Sequence, residues 1–313
     1  MATTTSITTS YAGEAAGEYI SAALLSGSTI DNGGITVKPN IKFKEVIKTI
    51  STDDIVKDAS CDFDPTSTIT LDERVIQPEF QQVNLQLCKK DFQSDWEAAS
   101  MGFSAHDQLP PSFSDFLISH VAAKVAQRTE TSIWEGATAT SGQFNGLTTL
   151  LDADAAHTGA RKIAGTTVDA ANVIAQLGSI VDVIPSTIYG SEDMNLYVSQ
   201  NIARAYVRAL GGFGSNGLGA AGTNAMGTQW WNNGSLTFDG VKIFVANGLA
   251  DNTAIAAEKS NLYFGTGLLS DQNEVKVIDM ADLDGSQNVR VVMRFTAGIQ
   301  HGIGGDIVLY ATA

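Results

Sequence analysis

Residues 67–92 read STITLDERVIQPEFQQVNLQLCKKDF, and the alternation in this stretch decides the kind of molecule the chain forms. In an extended strand Gln81, Val83, Leu85 and Leu87 share one face, and Gln82, Asn84, Gln86 and Cys88 share the other. Such a mix is too polar for a strand buried on both sides. Upstream, residues 35–50 (ITVKPNIKFKEVIKTI) have the same β-branched, alternating character, and the Asp-, Ser- and Thr-rich residues 51–65 between them read as a turn region. Two long extended segments joined this way predict a two-stranded ribbon standing away from the main body. An isolated ribbon is only marginally stable, so it needs a surface to lie on.

Beyond the ribbon, residues 109–136 (LPPSFSDFLISHVAAKVAQRTETSIWEG) carry the clearest helix signal. Pro110 and Pro111 block an earlier start, Ser112 is a good N-cap, and Asp115 follows it at capping-box spacing. Phe113, Phe116, Leu117, His120, Val121 and Val125 form one stripe, Trp134 lies near the end, and Gly136 stops a rod about 35 Å long. Residues 142–151 (GQFNGLTTLL) lead into a polar loop through Gly165. A second helix is expected from Asp169 as N-cap, with Val173, Ile174, Leu177, Ile180 and Val181 inward and Pro185 ending it. A short buried strand at 195–198 and a third helix capped by Ser199 follow, the helix turning Ile202, Ala203, Tyr206, Val207 and Leu210 inward. Residues 211–234 are glycine-rich and low in charge, with Trp230 and Trp231 close by, and read as a loop. Strands then recur quickly at 241–245, 262–264, 275–278, 289–295 and 307–310. At the other end, residues 11–25 (YAGEAAGEYISAALL) show helical spacing, stopped by Gly27 and the Asn32-Gly33-Gly34 cluster. The order is mixed α+β, without a repeating βαβ unit or an internal repeat.

The 313 residues carry a net charge of -15, from 34 acids against 19 bases, and 43% of them are hydrophobic. That apolar content supports a real core, and no apolar run reaches bilayer-spanning length. The polar opening residues resemble neither a secretion signal nor a transit peptide, so a soluble protein made in the cytoplasm is the expectation. The acidic balance disfavours a grip on nucleic-acid backbone, and Lys38, Lys42, Lys44 and Lys48 alternate with apolar residues rather than forming a patch. Cys61 and Cys88 are expected as free thiols.

No constellation of residues points to an enzyme. His106, His120, His157 and His301 lack metal-ligand spacing, and Asp152, Asp154 and His157 lack the glycine turn and distant glutamate of a calcium loop, so they read as solvated loop acids. Residues 211–219 (GGFGSNGLG) follow a helix instead of opening one and carry no Lys-Ser/Thr pair, which argues against a phosphate loop. Glu192 and Asp193 sit in a turn. Catalytic, cofactor-binding and metal residues are therefore all expected to be none.

The order of elements resembles the major capsid proteins of tailed bacteriophages, the Hong Kong 97-like shell fold. QFNGLTTLL at 143–151 is similar to that family's turn into the axial (A) domain, with Asn145, Gly146 and Leu147 in place and the second leucine displaced by two threonines. FDGVKIFVANGLADN at 238–252, NLYFGTGLL at 261–269 and VRVVMRFTAGIQHGI at 289–303 resemble its closing strands. The resemblance implies an N-terminal arm at 1–45, an E-loop ribbon at 46–95, a peripheral (P) domain at 96–149 and 271–313 with the long helix as its spine, and an A domain at 150–270. It implies self-assembly through hexamers and pentamers into an icosahedral virion capsid around double-stranded DNA, assembled in the host cytoplasm. Portal, scaffolding and possibly decoration proteins would be the partners, with DNA contacted only non-specifically and no membrane. Many relatives carry a scaffolding segment ahead of the arm; here the expectation is either a separate scaffold protein or a chain already processed, and Met1 favours the first. Some relatives crosslink an E-loop lysine to a neighbour's asparagine; Lys48 and Lys57 lie in suitable territory, although a solvated lysine is the plainer reading. An encapsulin-like nanocompartment shell holding a cargo enzyme is the alternative.

Overall fold

The computed structural model describes residues 28–59, 61, 65, 68–88, 111–211, 236–267 and 275–312. The expected helix at 11–25, His106 and the glycine-rich residues 212–234 lie outside the described residues.

The ribbon is real but shorter than the extended sequence. Strands β2 (Glu45–Thr52) and β3 (Ile69–Ile76) pair antiparallel as a separate two-stranded sheet, in register from Glu45–Ile76 to Thr52–Ile69. Strand β4 (Glu79–Cys88), expected to continue the ribbon, leaves it after Pro78 and pairs along its whole length with β12 (Asn288–His301). Pro78 cannot donate to a ladder, and the chain changes sheets there. The alternation read from the sequence holds: Val83, Leu85 and Leu87 pack against the long helix α2 (Pro111–Glu135), while Gln82, Asn84 and Gln86 face solvent.

Strand β12 organises the first sheet. It also pairs with β10 (Leu262–Gly265) and β11 (Lys276–Asp279), and β10 carries the short β1 (Thr36–Lys38) in parallel. The second sheet has six strands in the order β5-β13-β9-β6-β8-β7 and mixes parallel with antiparallel pairs. These are β5 (Lys162–Gly165), β6 (Met194–Val198), β7 (Leu236–Phe238), β8 (Val241–Val245), β9 (Ala254–Glu258) and β13 (Val308–Thr312). The last strand therefore joins the second sheet, whereas β10 joins the first.

Two cores meet across that second sheet. On one face Met194, Leu196, Val198, Ala254, Ala256 and Val308 pack against α4 (Val173–Val181) and α5 (Gln200–Gly211). On the other, Tyr197, Ile255 and Leu309 join a core with Trp134, Phe144, Leu147, Phe264, Met293 and Phe295. Trp134 and Tyr197 meet with ring centroids 5.0 Å apart. Helix α4 begins later than expected: Asp169 Oδ1 accepts from the N–H groups of Ala171 and Asn172 and so caps a turn ahead of the helix, and Ile174 is exposed, not inward.

Residues 147–153 form a helix that the sequence reading took for a turn, α3 (Leu147–Ala153), packed beside the end of α2. Gly136 and Gly146 let the two helix ends touch: a Cβ on either would collide with backbone of the other end. The two threonines that displace a leucine here have a structural role. Thr148 Oγ1 donates to Trp134 O and Thr149 Oγ1 to Gly136 O, both at 2.8 Å, satisfying carbonyls that the end of α2 leaves open.

Candidate interaction surfaces

Directly paired residues of an antiparallel ladder share a face, so the register of β2 and β3 fixes what the ribbon displays. Val46–Val75, Lys48–Glu73, Ile50–Leu71 and Thr52–Ile69 lie on one side; Ile47–Arg74, Thr49–Asp72 and Ser51–Thr70 lie on the other. The first side is apolar yet open: Ile50 is 67% exposed, Leu71 69% and Ile69 65%, with Val46 and Val75 also exposed. Past the end of β2, Ile55 and Val56 are exposed too, flanked by Asp53, Asp54 and Asp58. This open apolar face, crossed midway by the Lys48–Glu73 pair, is of the kind that marks interaction sites.

The root of the ribbon, by contrast, is fixed. Ile47 and Ile76 are buried with Ile41, and Tyr263 packs against them. Gln300 Nε2 donates to Val75 O at 3.1 Å, and Lys38 pairs with Glu45 at 2.6 Å while lying over the Tyr263 ring. Arg74 Nη2 reaches Asp154 Oδ2 at 2.6 Å, and the same oxygen meets His301 Nε2 at 2.9 Å. The lysine series 38–48 is thus divided between ribbon and root and forms no basic patch.

A groove of about 420 Å³ runs between α2 and the first sheet. Val83, Val121, Val125, Phe144 and Phe295 line it, and Lys124 and Arg128 stand at its rim. His120, expected on a buried stripe, is half-buried and lines this groove. A second open surface is the outer face of the first sheet, where Arg290 and Arg294 stand opposite Gln86 and Gln82, and Arg290 Nε donates to Gln86 Oε1 at 3.2 Å.

The acids and histidine around residue 154 are not solvated as expected. Asp152 is, and pairs with Lys162 at 2.5 Å. Asp154 and His157 are turned inward, toward Arg74 and His301, which are 80 and 147 residues away from Asp154 along the chain. No local spacing could have announced this cluster. Among the described residues no side chain hydrogen-bonds His301 Nδ1, so none is placed there as a nucleophile. Among the described residues no three His, Cys, Asp or Glu side chains gather as a metal set, and no helix is long and apolar enough to cross a membrane. Cys61 and Cys88 are free thiols, and Glu192 and Asp193 lie exposed in a turn.

Near the start of the described chain, the short helix α1 (Ser28–Asp31) docks on α2 through a buried carboxylate. Glu130 accepts from Thr29 N–H at 3.1 Å and from the Thr29 hydroxyl, which itself accepts from Trp134 Nε1 at 2.9 Å. Burial pushes the Glu130 pKa up, and the bonds from Thr29 only partly offset it.

No family model matches the chain, and no curated protein matches it by sequence. Solved structures match over nearly its whole length. A chain from the capsid of a native GTA particle is 15% identical with a TM-score of 0.60, covering 95% of this chain and 94% of that one. A chain from the capsid of Myoviridae phage XM1 is 13% identical at TM-score 0.59, covering 96% of each. A chain of Mycobacterium phage Bobi is 12% identical at TM-score 0.58, covering 98% of this chain and 96% of that one. Likeness at such low identity shows the fold alone: this chain has the mixed α+β fold of these capsid chains.

Proposed function

We propose that the protein is a major capsid protein, a structural subunit without catalytic activity. Copies of it close through hexamers and pentamers into an icosahedral shell around phage DNA. The observation that carries this reading is the open apolar side of the ribbon, on a chain with the fold of capsid subunits. In this reading β2 and β3 belong to the E-loop, with its territory at 46–95, and residues 1–45 form the arm. Helix α2 is the spine of a P domain at 96–149 and 271–313, and residues 150–270 form the A domain, with β10 pairing into the first sheet and β13 into the second.

Contacts that join one patch to a different patch on the next copy generate rings when the rotation between copies closes. The ribbon of one copy, apolar with an acidic tip, is complementary to the α2 groove of a neighbour, apolar with Lys124 and Arg128 at its rim. Burying each large apolar side chain contributes roughly 1.5–3 kcal/mol before association entropy is subtracted. DNA would be met only non-specifically, in keeping with the net charge of -15. Portal, scaffolding and decoration proteins complete the expected partners, and assembly takes place in the host cytoplasm. Electron microscopy and sedimentation of the purified chain, alone and with a co-expressed scaffold, test the reading. Closed particles are expected; a chain that stays monomeric under every assembly condition overturns it.

A further inference from the structure

The ribbon's root carries a group of buried ionisable side chains that shell assembly does not by itself require. Asp154 follows α3 and is buried, and its Oδ2 is shared by two donors on different elements: Arg74 from β3 and His301 from the end of β12. Its Oδ1 accepts from Ala156 N–H at 2.9 Å. Gly304 closes the other side, where a Cβ would collide with Asp154 Oδ2. His157 is 3% exposed, with the Leu151 backbone beside its ring. The charged groups facing the cluster are therefore Arg74 from the ribbon, Asp154 and His157 from the segment after α3, His301 from β12, and the Asp152–Lys162 pair beside His157.

We propose that Arg74, Asp154 and His301 form an acid-released clamp that sets the angle of the ribbon on the body. An ionised carboxylate only accepts, so the 2.9 Å contact puts the proton of neutral His301 on Nε2 and leaves Nδ1 bare. Nδ1 is buried without a partner, which neutral imidazole tolerates. A second proton would create a buried, unpaired N–H on a cation, beside the guanidinium of Arg74 and close to His157. One carboxylate would then face up to three cations. Arg74 is the most exposed member and the only one on a projecting element, so it is the one that leaves.

The titration directions agree with this geometry. Burial lowers the His301 pKa below the ordinary 6.5; the bond from Asp154 opposes this, and Arg74 adds to the lowering. Burial lowers His157 as well, against the attraction of Asp154. Burial alone would raise Asp154, but the His301 bond, the Ala156 N–H and the Arg74 charge together hold its carboxyl below the usual 3.8. A histidine whose folded pKa is depressed stabilises the closed clamp fully above pH 6.5, and that contribution is lost as pH falls below it. Asp154 is held below 3.8, so it is still ionised at the pH where the histidines' contribution begins to fall, just below 6.5. The clamp is a property of one subunit and stands apart from shell closure.

The test reads the ribbon's position directly. Spin labels at Ser51→Cys on the ribbon and Ala139→Cys on the body, in a Cys61→Ser, Cys88→Ser background, report their separation in the unassembled full chain. At about pH 7.5 one narrow distance distribution is expected, and at about pH 5 it broadens and shifts while the far-ultraviolet circular dichroism is unchanged. H301Q, which keeps a donor toward Asp154 but cannot gain charge, should stay narrow at both pH values, and R74M should be broad at both. H157Q, which leaves the clamp residues intact, should move the transition to lower pH. A wild-type distribution that does not change before the whole subunit unfolds overturns the clamp, whatever the variants do. So does an H301Q chain that responds to acid as wild type does.

Discussion

Strand β6 and the ribbon strands β2 and β3 all carry large apolar side chains and are opposite in what covers them. All five residues of β6 are buried: Met194, Leu196 and Val198 lie under α4 and α5, and Tyr197 packs against Trp134. The ribbon keeps only Ile47 and Ile76 at its root and leaves Val46, Ile50, Ile69, Leu71 and Val75 outside. One region is stabilised by its own chain, and the other is left for a partner to complete. The sharpest way to break the comparison is to hollow each region in turn. Trp134→Ala, at the junction of α2 and β6, should cost about 3–5 kcal/mol in urea unfolding of the subunit, the largest loss of any substitution considered. A loss under about 1 kcal/mol would mean that α2 and β6 do not depend on each other there.

Ile76→Ala should come next, because Ile76 is fully buried but anchors only the ribbon. Roughly 2–4 kcal/mol of local stability is expected to go, read as faster amide exchange across β2 and β3. Exchange in β6 should stay as slow as in the parent chain. Equal acceleration in both strands would show that ribbon and body unfold as one unit.

Acid and base should separate the regions as well. The Glu130 pKa is raised by burial, so the stability it supports is full below its ordinary 4.5 and declines as pH rises through the folded value. His301 and His157 give the opposite slope, losing stability as pH falls below 6.5. Glu130→Gln keeps an acceptor for Thr29 and should remove the first contribution alone, seen as a parent-minus-variant difference in urea midpoint that falls as pH rises from 4.5. A difference that stays constant with pH would assign that contribution to another group.

How much of this could be read from the residues depended on whether the signal was local. The alternation of Gln81 to Leu87 marked both faces of β4 correctly, and the stripe from Leu117 to Val125 with Gly136 marked α2. The partner of β4 was not legible, because strand pairing is decided by distant residues: Leu85 and Val291 are register neighbours only once the chain is folded. Strand β9, AIAAE, was missed since alanine is a poor strand former; it is a strand because it lies between β6 and β13, where small side chains fit under the layers on both sides. Helix α3 is short and lacks a side-chain cap, so its start carried no signal. The Arg74–Asp154–His301 cluster joins residues from three separate segments and was invisible for the same reason as the β4 pairing.

The smallest effect on the subunit should accompany the largest effect on its assembly. Ile50 is 67% exposed and stands opposite Leu71 on the open side of the ribbon. Ile50→Ser removes little packing in an isolated chain, so the unfolding midpoint should move by no more than about 0.5 kcal/mol equivalent. If the open side is where a neighbour lies, the same change removes a side chain from the middle of every ribbon contact, and in a shell that loss repeats with each copy. Sedimentation should therefore show the variant failing to form particles, or forming them only at higher concentration, while its circular dichroism matches the parent. The control is Thr49→Ser on the opposite side, which leaves the apolar face intact and should assemble normally. Particles formed equally well by Ile50→Ser and Thr49→Ser would move the contact elsewhere and remove the ribbon's open face as the reason the chain associates.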